Sequence, residues 1–74
     1  MSKIYLIVSL NENFDSTKEN ARFLVDLEIR LIDGISFDLE KATKSLELLH
    51  SLNAINPAIL VYEADRPCCL KIIR

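Results

Sequence analysis

Hydrophobic and polar positions follow a helical period most cleanly between Phe37 and Asn53. At 100° per residue Leu39, Ala42, Leu46 and Leu49 share one stripe, while Glu40, Lys44, Glu47 and Ser51 fall outside it. Asp38 precedes the stripe and has N-cap chemistry: its carboxylate can accept from first-turn backbone N–H groups and favours the positive end of the helix dipole. Asn53 and then Pro57 supply the stop.

The rest of the chain reads as strand. Lys3 to Leu10 is rich in β-branched residues, with Ile4, Leu6, Val8 and Leu10 on one face and Lys3, Tyr5, Ile7 and Ser9 on the other. A polar connection follows from Asn11 to Asn20. Ala21 to Asp33 fits two periods. Ser16-Thr17-Lys18-Glu19 has the spacing of a capping box, and Gly34 stands where a helix would stop. Against a helix, its wheel places Glu28 inside the apolar arc. Against that, Phe23, Val25, Leu27, Ile29 and Leu31 alternate with Arg22, Leu24, Asp26, Glu28 and Arg30, and a strand leaves the charges solvated. The alternation favours a strand, turned at Asp33-Gly34. Ala58 to Ala64 is a third strand, Asp65-Arg66-Pro67 has turn chemistry, and Cys68 to Arg74 is a fourth strand.

The expected fold is therefore α+β and a single domain over residues 1–74: a small antiparallel sheet of about four strands with one helix packed on one face, in the order β-β-α-β-β. One helix covers one face. The set expected beneath it is Leu6, Val8, Val25, Leu27, Ile29, Leu60, Tyr62, Leu70 and Ile72. The opposite face would then expose Tyr5, Ile7, Leu24, Ile32, Ile59, Val61 and Ile73, more apolar surface than a soluble monomer carries. These seven are the candidate interface, and sheet-on-sheet packing in a homodimer would cover them.

Composition narrows the function classes. Half of the residues are hydrophobic, which excludes disorder and low complexity. A net charge of −2 argues against a broadly basic nucleic-acid surface. A local platform of Tyr5 with Lys3, Arg22, Arg30, Lys71 and Arg74 on an uncovered sheet face would still suit single-stranded nucleic acid. The apolar run Ile4 to Val8 is too short for a signal peptide or a membrane span, so a cytoplasmic chain with reduced thiols is expected.

Candidate chemistry is sparse. Cys68 and Cys69 are adjacent, so on a strand they point to opposite faces and cannot chelate one metal together. His50 is the only histidine and sits at the edge of the helical stripe without an evident orienting acid. Asp26 and Glu28 would share a strand face with Arg22 and Arg30, the pattern of a solvated face. Gly34 is the only glycine, which rules out a glycine-rich phosphate loop. No catalytic, cofactor-binding or metal residues are assigned. The expected function is a non-catalytic protein-binding module, a regulator or inhibitor that occupies a partner's surface; the alternative is a single-stranded nucleic-acid-binding domain. Because no metal ligand set or bridge is expected, chelator or reductant should leave the melting temperature of the purified chain unchanged. A fall in melting temperature on adding EDTA would reveal a structural metal.

Overall fold

A computed structural model describes residues 2–15, 17–18 and 21–74. The elements are β1 (Lys3–Leu10), a one-turn helix α1 (Ala21–Leu24) running into a 3-10 turn (Val25–Glu28), β2 (Ile29–Ser36), α2 (Leu39–Ser51), β3 (Pro57–Glu63) and β4 (Lys71–Ile73). The strands form one antiparallel sheet in the order β2-β1-β3-β4, so the chain is a small α+β fold. Since β2 and β3 both run antiparallel to β1, they are parallel to each other, and α2 crosses the face of β1 to connect them.

Helix α2 matches its sequence signals. Asp38 is the N-cap, its carboxylate accepting from the Glu40 backbone N–H at 2.9 Å. At the other end the Ala54 N–H reaches the Leu49 carbonyl, the Asn53 N–H reaches that of His50, and Asn53 takes φ 58. This is a Schellman termination with asparagine in the left-handed position. Ala42 and Leu46 are buried and Leu49 is half-buried, whereas Leu39 remains largely exposed.

Both faces of the sheet are covered. Under α2 lie Ile7, Ile59 and Val61, all buried, with Tyr5 and Ile73 packed at the margin. On the other face Val8, Leu10, Ala58 and Leu60 are buried with Val25 and Cys69, flanked by Leu6, Phe14, Ile29, Tyr62 and Ile72. This second layer has no long helix. It is closed by Val25 from the 3-10 turn, by Phe14 from the first connection and by Cys69 from the β3–β4 connection, whose Leu70 N–H bonds the Val61 carbonyl at 2.8 Å.

Two expectations are thereby corrected. First, α2 packs on the Tyr5, Ile7, Ile59, Val61 and Ile73 face, opposite to the face assigned to it, so those five residues form core and core margin. Second, residues 21–28 are helical and only Ile29 onward is strand. The register explains why: Ile29 already pairs with Leu10, the last residue of β1, so anything earlier has run past the end of its neighbour. An extended stretch there would leave its backbone groups without a ladder, and helical turns satisfy them locally. The strand also continues through Asp33-Gly34, because β1 extends far enough for Ser36 to pair with Tyr5. The capping-box stretch Ser16–Glu19 lies partly outside the described residues.

Val25 and Leu27 separate the two descriptions of this segment. A strand would place both on one face, but Val25 is fully buried and Leu27 is 79% exposed. Val25→Ala should therefore destabilise by about 1–3 kcal/mol and Leu27→Ala by no more than about 0.5 kcal/mol in urea denaturation. Equal losses at the two positions would restore the strand.

Candidate functional site

The two edges of the sheet differ. β4 has three residues and carries Lys71, a short and charged edge of the kind that discourages further pairing. β2 is eight residues long, pairs only with β1, and contains neither lysine nor proline. Its sequence Ile-Arg-Leu-Ile-Asp-Gly-Ile-Ser is apolar at Ile29, Leu31, Ile32 and Ile35.

Two irregularities in the β1–β2 register decide where those side chains point. Ile29, Ile32 and Ile35 lie opposite Leu10, Val8 and Leu6, while Leu31, Gly34 and Ser36 lie opposite Ser9, Ile7 and Tyr5. The register skips Arg30 and Asp33, one bulge residue each. The bulges convert a two-residue period into three, so all three isoleucines reach the face away from α2. Ile29 packs into the core, but Ile32 is 55% exposed, Ile35 62% and, on the α2 side, Leu31 51%. Asp33 turns toward the α2 side, where its Oδ2 accepts from the buried Ser9 hydroxyl at 3.1 Å. Beside it, Ile7, Asp33, Gly34, Ser45, Leu48 and Leu49 line an open cleft between α2 and β2. Gly34 has no positive φ, and a Cβ there would meet the Ile7 Cδ1 at an ordinary 3.7 Å, so this glycine is not required by a turn.

Of the seven candidate interface residues, only Leu24 and Ile32 are exposed, and they belong to different elements, α1 and β2. Ile32 is the one that lies on the open edge. Leu31 and Ile35 were missed because strict alternation cannot register a bulge. The nucleic-acid platform is not assembled either. Tyr5 packs at the margin of the α2-side core, Arg30 and Lys71 lie on opposite edge strands, and Arg22 stacks over Phe23 at 4.7 Å and donates to the Leu70 carbonyl.

The remaining chemistry stays scattered. Asp26 and Glu28 fall on the 3-10 turn, where Glu28 accepts from the Asn11 side chain at 2.9 Å and Asp26 is exposed. His50 is exposed in the last turn of α2. Cys68 and Cys69 are free thiols, half-buried and buried respectively, and share a shallow cleft with Arg22, Phe23, Arg66, Pro67 and Leu70. Among the described residues no group of three or more His, Cys, Asp or Glu is placed to hold a metal, and no helix is long and apolar enough to cross a membrane. No family model, curated protein or solved structure matches the chain.

Two groups around the second core layer resist ionisation. Burial pushes the Cys69 thiol up, and burial first, then the neighbouring Cys69 and Asp26, pushes Tyr62 up to about 12. Both hold their protons more tightly folded than unfolded. Their contribution to stability is complete below their ordinary values, 9.0 and 10.0, and is lost as pH rises through the raised ones. The melting temperature should therefore fall progressively from about pH 9 toward pH 12, and Tyr62→Phe together with Cys69→Ala should flatten that fall. An alkaline profile identical in the double variant would show that other groups govern it.

Proposed function

We propose that this chain is a small non-catalytic protein-binding module, a regulator or inhibitor that works in the cytoplasm by occupying a partner's surface, and that the β2 edge is the surface it uses. One observation carries the reading: an eight-residue edge strand presents Leu31, Ile32 and Ile35, each more than half exposed, beside unpaired backbone groups. Backbone hydrogen bonds to an added strand would supply affinity, and the flanking apolar side chains would supply selectivity. An enzyme would need acid, base or nucleophile groups converging on a cavity, and the charged and nucleophilic residues here lie apart on separate elements.

The test uses the purified chain as bait, followed by titration against each recovered protein in pure form. Ile32→Lys should weaken binding at least tenfold, while Glu47→Lys on the exposed face of α2 should change it less than twofold. Binding that tolerates Ile32→Lys would remove the β2 edge from the function. Recovery of nucleic acid alone, with affinity falling steeply as salt rises, would replace this reading with the nucleic-acid one.

A further inference from the structure

The cleft between α2 and β2 holds a carboxylate for which this chain supplies no cation. Asp33 is the second bulge residue of β2, and the bulge turns its side chain to the α2 side, beside Ile7, Gly34, Ser45, Leu48 and Leu49. Its Oδ2 accepts from the Ser9 hydroxyl at 3.1 Å, and Ser9 is 2% exposed, so the carboxylate is anchored to the sheet. Among the described residues no Lys, Arg or His forms an ion pair with Asp33; the ion pair on α2 joins Lys44 to Glu40.

We propose that this cleft takes a lysine side chain of a partner protein, with the ammonium group on Asp33 and the methylene stem along Ile7, Leu48 and Leu49. The inference rests on reading the chain as a protein-binding module and adds one chemical feature of the partner.

The walls, the floor and the charge of the cleft point to the same occupant. Ile7 is buried, Leu49 is half-buried and Leu48 is 58% exposed, so the stem of a long side chain would cover apolar surface that now faces water. At the floor stands Gly34, on the side of β2 that it shares with Ile7. Its φ is not positive, and a Cβ there would meet the Ile7 Cδ1 at an ordinary 3.7 Å, so neither the backbone nor the packing calls for glycine. A larger side chain at this position would occupy the cleft, and glycine leaves it open next to the carboxylate. Charge then selects among the residues that could enter. A purely apolar side chain would desolvate Asp33 without pairing it, and an acidic one would add repulsion. A cationic head on an apolar stem satisfies both the carboxylate and the walls. Lysine fits better than arginine, because Ser9 already holds one carboxylate oxygen. A guanidinium fork is matched to both oxygens, whereas an ammonium group acts as a point charge and needs one. The Ser45 hydroxyl in the same cleft can accept a second of its three N–H bonds.

The test titrates the ¹⁵N-labelled chain with N-acetyl-lysine methylamide at millimolar concentrations, with N-acetyl-norleucine methylamide as the uncharged counterpart. The lysine probe should shift the backbone amides of Asp33, Gly34, Leu48 and Leu49 saturably, and added salt should weaken it. Norleucine should bind at least fivefold more weakly. Asp33→Asn, which keeps an oxygen for the Ser9 hydroxyl but loses the charge, should weaken the lysine probe at least fivefold. Gly34→Val should do the same by filling the cleft. Circular dichroism checks the folding of both variants, and the lysine-to-norleucine ratio on the wild-type chain decides the matter even if neither variant folds. Equal binding of the two probes, or no saturable shift with lysine, would overturn the inference. Its failure is separable from that of the module reading. A recovered protein that binds Asp33→Asn as tightly as wild type would uphold the module and remove the lysine site. Selective binding of the lysine probe with no protein recovered would uphold the site and remove the module.

Discussion

The structure depends on one constraint: its two central strands are apolar on both faces. β3 is buried from Pro57 through Val61, and β1 from Ile7 through Leu10, with no solvated side to either run. A sheet with such strands at its centre must be covered twice, and a chain of 74 residues has one long helix to do it with. α2 takes one face. The other is closed by connections: Val25, Phe14 and Cys69 each come from a different segment and converge on Val8, Leu10, Ala58 and Leu60. Much of the irregular structure is accounted for by this need, because each of these connections must bring a side chain back over the sheet.

The second layer also sets the chemistry of the residues that looked reactive. Cys69 serves as a small core side chain, its thiol pointing to the Lys71 carbonyl at 3.2 Å, and burial keeps it protonated. Tyr62 lies against the same layer and holds its proton for the same first reason. Glu28 is half-buried and tied to Asn11, which fastens the start of β2 to the end of β1. These groups hold the thinner side of the molecule together.

With both faces occupied, the exposed apolar surface moves to the rim. β4 ends the sheet by being short, whereas β2 is eight residues long and, beside Arg30, Asp33 and its two bulges, leaves Leu31, Ile32 and Ile35 more than half exposed. The bulges at Arg30 and Asp33 decide which side chains stand on each face of this rim. Without them the isoleucines would divide between the two faces, and the edge would present no ordered apolar row.

The local signals in the sequence were sufficient for the elements that local physics controls. α2 was legible from its stripe, its Asp38 cap and its Asn53 stop, since each acts within a turn or two of backbone. β1 and β3 were legible from β-branched content, and the α+β class followed. Ile4 to Val8 and Ala58 to Tyr62 are continuous apolar runs rather than alternating ones, the mark of strands covered on both faces. What only the tertiary structure decided was pairing. Whether residues 21–28 are strand or helix depends on where β1 ends, because an extended segment needs a neighbour for its backbone and a helical one does not. Which face α2 covers, and which side chains of β2 stand on the open edge, depend on register, and a single bulge residue reverses every position beyond it. No window of sequence contains that information, since it is a relation between strands some twenty residues apart.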